Sequence, residues 1–301
     1  MSRASSCLLC TLALLLLAAA MQRDDLRFWL ENMMHHDYSL EETAQVLGMP
    51  KARVEAALKE YELAARRLPA RPPDAPLLVL PYPGGRHPRI GFLEGAIDPM
   101  RGTKASVFLP WPDAGYVVVD LPEAVWSQLG LTFLAHTHIP TIWDSKGVKI
   151  QNIDWTRLPD GGLEEVRVLP NGIEIGSRVV PEREQVRMML WLRNGTSETL
   201  SQLRAQVCVM LKGAAAFNAQ TNDNKILKGN TAAVGSSDGR RWIITAWERG
   251  RTWANPPVPC LHSDPRFPDC APGKTVRAQG WVRFYEGEDV QSEIERLQEV
   301  R

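Results

Sequence analysis

Neither sign of charge prevails in this sequence: 35 lysines and arginines stand against 35 aspartates and glutamates. Without a cationic excess there is no global surface for nucleic-acid phosphates, and without an acidic excess the chain is not marked for disorder. Cysteine is scarce as well. Of the five, Cys7 and Cys10 lie near the start, leaving Cys208, Cys260 and Cys270 for the body. Three are too few to staple a fold, so a hydrophobic core has to hold it. The apolar run from Leu8 to Leu17 is too short for a comfortable bilayer span, and no transmembrane anchor is expected. The Gly-x-Ser-x-Gly turn of serine hydrolases and the Gly-x4-Gly-Lys-Ser/Thr phosphate loop are both missing.

What is present begins with an export signal. Arg3 supplies the positive flank, Leu8 to Leu17 the apolar stretch, and Ala18-Ala19-Ala20 a small-residue cleavage site over residues 1–20. The expected location is secreted or periplasmic. The alternative start at Met21 would make the protein a cytosolic regulator.

Residues 22–67 read as helical. Leu26, Trp29, Leu30 and Met33 follow the 3.6-residue period. Ser39 with Glu42 forms a capping-box pattern. The stretch SLEETAQVLGMPKARVEAAL resembles a DNA-binding helix-turn-helix, with a small Ala44, a turn at Gly48 and Val54 on the next helix. Between Arg23 and Arg67, however, seven basic residues face nine acidic ones, the wrong balance for meeting phosphates. A packing or docking helical pair is the better reading.

Residues 68–90 are rich in proline and glycine and read as a linker or lead-in strand. From 91 to 287 short alternating runs are separated by turns. LEEVRVLP and IEIGSRVV flank Asn171-Gly172, a strong hairpin signal. In KTVRAQGWVRFYE, Val276, Ala278, Gly280, Val282 and Phe284 share one face. The expected fold is mainly β, an antiparallel sandwich or supersandwich of nine or ten strands behind an N-terminal helical pair. Residues 288–301 read as a C-terminal helix with Val290, Ile294 and Leu297 on one side.

Three stretches carry candidate chemistry. In LTFLAHTHIPTIWD, His136 and His138 stand two apart on one strand face, a spacing suited to a divalent metal such as zinc or copper or to acid–base work. Candidate third ligands are His262, Asp144, Glu123 and Asp264. Trp253 to Gly273 reads as a long proline-rich loop pinned by a Cys260–Cys270 disulfide, with His262 and Asp264 as catalytic candidates and Cys208 a spare buried thiol. Around it, Trp247, Arg251 and Trp253 are candidate substrate contacts. Aromatic faces suit sugar rings and arginine forks suit carboxylates or sulfates, so an acidic glycan is the expected partner. The alternative for the tryptophans is burial in the core.

The run LPNGIEIGSRVVPEREQVRMMLWLRNGTSETLSQLRAQVCVML through RRWIITAWERGRTWANPPVPCLHSDPRFPDCAPG, with the WLENM, PEAVW and LAHTHIPTIWD segments, resembles a group of secreted bacterial β-sandwich proteins. That resemblance covers most of the chain and implies export, with no activity attached. The order of PNG, strand, LRNGTSETL and strand is similar to the galactose-mutarotase-like supersandwich, which implies a concave sugar cleft holding histidine and acidic residues. Gly130-x5-His136-x-His138 resembles the first half of the cupin metal motif. The following acid comes late, at Asp144, and Ile175 stands where the second cupin element has histidine.

The expectation is therefore a secreted protein that binds, and in one form of the reading acts on, a carbohydrate. The rivals are a metal-dependent extracellular enzyme built on His136 and His138, and a non-catalytic module of the cell envelope.

Overall fold

The computed structural model describes residues 25–63, 71–90, 101–136 and 139–299. The chain divides into two compact units, Met1–Pro69 and Ala70–Arg301.

The first unit holds helices α1 (25–35), α2 (Leu40–Leu47) and α3 (Lys51–Glu60). Helix α2 begins where the capping box places it. Ser39 Oγ accepts from the Glu42 amide at 3.1 Å, and the Glu42 carboxylate accepts from the Ser39 amide at 2.8 Å. Each bond satisfies an amide that the first helical turn leaves open. Gly48, left-handed at φ 61°, ends the helix, and Pro50 leads into α3. Leu30, Ala44, Val54, Ala57 and Leu63 close a small core.

The second unit is two antiparallel sheets facing one another across a single apolar core. The first sheet holds β1 (Val79–Pro81), β2 (Lys104–Phe108), β3 (Tyr116–Ser127), β4 (Gly130–Leu134), β9 (Arg204–Met210), β13 (Arg251–Asn255) and β14 (Val258–Asp264). Its order is β1-β2-β3-β9-β14-β13, with β4 also paired to β3. The second sheet holds β5 (Thr156–Arg157), β6 (Leu163–Val168), β7 (Glu174–Pro181), β8 (Gln185–Arg193), β10 (Lys225–Lys228), β11 (Thr231–Gly235), β12 (Arg241–Trp247) and β15 (Thr275–Glu286), in the order β10-β11-β12-β15-β8-β7-β6-β5. The mainly-β, two-sheet expectation thus holds, with more strands than the nine or ten expected because several are too short to show a period.

Alternation decides which side chains enter the core. Ala105, Val107, Val117, Val119, Val209 and Leu261 project from the first sheet, and Val186, Met188, Leu190, Ala278, Val282 and Phe284 from the second. The β6–β7 hairpin turns at Pro170-Asn171-Gly172, where Gly172 takes φ 85° and its amide bonds the Leu169 carbonyl at 2.8 Å. Trp247 is fully buried and lies opposite Gly280. A Cβ added at Gly280 would stand 2.2 Å from Trp247 Cδ2, so glycine there makes room for the indole. Helix α4 (Val290–Glu299) lays Val290 and Ile294 on the outer side of β11 and β12, against Ala233 and Ile244.

Two local expectations are corrected. The stretch Trp253–Gly273 is irregular only in its second part: up to Asp264 it belongs to the β13–β14 hairpin, with Asn255 opposite Val258 and Pro256-Pro257 at the turn, and 265–273 is a loop tied by single bridges at Arg266 and Cys270. Prolines that would spoil a ladder are harmless at that turn. The Cys260–Cys270 disulfide is not formed: both are free, buried thiols. Cys260 lies in β14, whereas Cys270 exchanges backbone hydrogen bonds with Leu200 at 2.8 and 2.9 Å. The extended run from Cys260 to Asp264 leads the chain away before Cys270 is reached.

Candidate functional site

On the outer face of the first sheet, antiparallel register lines up five side chains from five strands. Lys104 pairs with Asp120, Asp120 with Cys208, Cys208 with His262 and His262 with Trp253. Lys104, Asp120, Cys208 and His262 each lie one position from an inward apolar residue, and Trp253 stands directly opposite His262, so all five share the opposite face. This row organises two clusters.

The first is a buried ion network. Lys104 Nζ and His136 Nε2 each stand 3.0 Å from Asp120 Oδ2, and all three side chains are fully buried. His136 Nε2 is also 3.5 Å from Glu123 Oε1. Glu123 pairs with Arg89 and accepts from Gln206 Nε2 at 2.8 Å. Asp120 and Glu123 are three apart on one strand and would ordinarily point to opposite faces. The register of β3 on β9 slips between Asp120 and Ala124, which breaks the alternation and lets both carboxylates reach one imidazole. Burial would raise the Asp120 pKa, but Lys104 and then His136 outweigh it and hold the carboxyl below its ordinary range. His87 stacks on His136 at 5.6 Å and 13°. Burial, followed by the electrostatic influence of His136 and Arg89, takes His87 down to about 3, so its ring is neutral near pH 7. Beside the network His136 borders a cavity of about 420 Å³ with Phe133, Ile139 and Arg167.

The second cluster is Cys208, Cys260 and His262. One ligand atom from each lies within 4.8 Å of the others, and all three are buried. Burial drives the Cys208 thiol well above its usual pKa, while a hydrogen bond from Cys208 lowers that of Cys260. Burial alone would lower His262, but Cys208 and Asp264 carry it up to about 10. Trp253 stacks on the His262 ring at 3.7 Å and 11°, and its Nε1 donates to Asp264 Oδ2 at 2.6 Å. Asp264 Oδ1 accepts from the Val207 amide at 3.0 Å.

Above this second cluster opens a groove of about 820 Å³, lined by Arg204, Arg251, Arg266, Trp253, Phe267, Asp264 and Asp269. Trp253 is 37% exposed, with one face against His262. Three guanidinium groups and an exposed indole therefore border one open space.

The expected site residues thus divide. His136 belongs to the ion network, while His262 and Asp264 belong to the second cluster, one strand beyond Cys208. His138 lies outside the described residues. Arg251 and Trp253 line the groove. Trp247 lies in the inter-sheet core, away from any sugar-accessible surface. Asp144, a candidate ligand, instead accepts from the Thr141 amide at 2.7 Å and hydroxyl at 2.6 Å and shapes its own turn. The sequence reading passed over Lys104, Asp120, Arg89 and His87, and treated Cys208 as a spare thiol. The available signal was a charge inside an apolar run: Asp120 in VVVDLPEAV.

No protein-family model and no curated protein matches the chain. Among solved structures it is similar to one assigned as an aldose 1-epimerase from Escherichia coli K12, with TM-score 0.39 and 10% identity, over 62% of this chain and 97% of that one. A heparan sulfate lyase from Pedobacter heparinus matches with TM-score 0.32 and 9% identity, over 87% and 42%. A polysaccharide lyase matches with TM-score 0.34 and 13% identity, over 71% and 33%. The chain spans less than half the length of either lyase. All three are named for carbohydrate chemistry, and likenesses this weak transfer no activity.

Proposed function

We propose that this protein binds an acidic carbohydrate in the groove of the first sheet. The observation that carries the reading is the juxtaposition of Trp253, exposed on one side and held on the other by His262 and Asp264, with Arg204, Arg251 and Arg266. A flat, immobilised indole offers an apolar face to a sugar ring at little entropic cost. Guanidinium forks meet carboxylate or sulfate groups through paired N–H donors. Asp264 and Asp269 also line the groove, but the three arginines outnumber them, and Asp264 is turned to Trp253 Nε1 and the Val207 amide. The export signal read over residues 1–20 fits a protein that meets such polymers outside the cytoplasm.

In the form of this reading in which the sugar is also transformed, acid–base work falls to His262 and Asp264 beside the groove, with His136 apart from them in the ion network. Such work needs an acid and a base held in one cleft.

The test is calorimetric titration of uronate-bearing or sulfated oligosaccharides against neutral ones. Acidic ligands are expected to bind more tightly and to weaken as salt screens the arginines. Trp253→Ala, which removes a central aromatic contact, is expected to cost about 2 kcal/mol, or about 30-fold in affinity. Binding that ignores ligand charge, or that survives both Trp253→Ala and Arg251→Ala, would remove the groove as the site.

A further inference from the structure

We propose that Cys208, Cys260 and His262 form a binding site for a thiophilic divalent ion, zinc. The proposal rests on the donor set and its placement and does not require sugar binding in the groove; with zinc bound, His262 is a ligand and not the acid–base group. Two thiols and an imidazole are the ligands that zinc prefers over oxygen-rich sets. Their ligand atoms already lie within 4.8 Å of one another on adjacent strands of a paired sheet. Around a tetrahedral zinc such atoms stand about 3.3–3.8 Å apart, given bonds of about 2.0–2.3 Å. The present separations, within 4.8 Å, exceed the upper end of that range by at most about 1 Å.

A second observation points the same way. His262 is 1% exposed, and neither of its ring nitrogens makes a hydrogen bond of ordinary geometry. Nδ1 stands 3.5 Å from Asp264 Oδ1, longer than a good bond. Buried polar atoms are normally paired, and one left over asks for a ligand. A carboxylate on one nitrogen is also the usual outer partner of a metal-bound histidine, fixing the ring so that the other nitrogen meets the ion. Trp253, stacked on the ring at 3.7 Å, restrains it further.

A disulfide suits the pair less well. His262 faces Cys208 and Cys260 faces Met210, so the two cysteines are diagonal neighbours. Diagonal Cα atoms are about 7–8 Å apart, beyond the roughly 6.8 Å that disulfides span. A bridging ion fills the distance that an S–S bond leaves open. Binding needs both thiols deprotonated and the imidazole neutral, so it releases the protons these three groups carry, and the dication with two thiolates is then neutral overall. The nearby Arg89 charge is already paired with Glu123. Three protein ligands leave one tetrahedral position for a non-protein donor.

The test uses the full chain, reduced and freed of metal by a chelator. Zinc titrated against a competing indicator is expected to bind at about one ion per chain. Cobalt in its place is expected to show the thiolate-to-metal charge-transfer band and the intense visible absorption of a tetrahedral site. Cys208→Ser with Cys260→Ser is expected to abolish both signals, while Cys270→Ser, at a buried thiol elsewhere, keeps them. If the double variant fails to fold, the wild-type cobalt spectrum decides. Sub-stoichiometric uptake, a cobalt spectrum without a thiolate band, or equal binding by the double variant would overturn the site.

Discussion

Replacing Asp120 by asparagine removes one charge while keeping nearly the same shape, and it tests whether the ion network is as tightly coupled as its distances imply. In the native protein Lys104 Nζ lies 3.0 Å from Asp120 Oδ2 with both side chains fully buried, and His136 Nε2 approaches the same oxygen at 3.0 Å. The other hydrogen bond from Lys104 goes to Thr103 Oγ1 at 3.3 Å, a neutral acceptor that cannot compensate an ammonium. Asp120→Asn therefore strands a buried cation. Breaking a buried pair from one side costs about 3–5 kcal/mol, mostly the desolvation of the charge left behind. For a unit spanning Ala70–Arg301, that is a fall in Tm of roughly 6–20 °C, at about 2–4 °C per kcal/mol. Urea unfolding, followed by tryptophan fluorescence and far-ultraviolet circular dichroism, measures the loss at unchanged slope. Adding Lys104→Met removes the stranded charge and should recover more than half of it. An Asp120→Asn protein within about 1 kcal/mol of wild type, or a double variant no better than the single, would refute the reasoning.

Stability is expected to fall on the acid side. The unfolded chain protonates His87 near 6.5 whereas the folded protein resists until about 3, so this contribution is complete above pH 6.5 and is lost progressively from there toward pH 3. Asp120, held below its ordinary range, adds a second loss beginning below about pH 4. A His87→Phe variant should lose the first phase and keep the second in a pH series of urea midpoints. The two candidate tryptophans should separate cleanly: Trp247→Ala costs about 3–5 kcal/mol of stability, while Trp253→Ala chiefly weakens glycan binding. Gly280→Ala should cost about 1–3 kcal/mol and shift the tryptophan emission, because the new methyl would stand against the Trp247 ring. An unchanged spectrum and midpoint would mean that Trp247 does not pack there.

Much of the fold was legible because local periods are enforced by burial. The alternation in β15, the turn at Asn171-Gly172, the box of Ser39 with Glu42 and the inward side of α4 each arise from contacts a few residues apart, and each is found as read. The hairpin at Trp253–Asp264 was misread because proline density signals irregularity, and only the pairing partner shows that Pro256-Pro257 sit at the turn. Cys260 was assigned to Cys270 by closeness in sequence. In the fold its neighbour is Cys208, more than fifty residues earlier in the chain but on the next strand.

The sequence by itself determined the two-sheet β character, the separate helical stretch and the supply of chemistry: the histidines, the arginines beside tryptophan, the thiols. It could do so because residue type, alternation and turn chemistry act over short spans. Which of those residues meet was decided by register between strands far apart in the chain. That register joined Lys104, Asp120, Cys208, His262 and Trp253 into one row, put Trp247 in the core and Trp253 on the groove, and turned a slip in β3 into two carboxylates on one imidazole. Strand order and register minimise the free energy of the whole sandwich, and no local pattern encodes them.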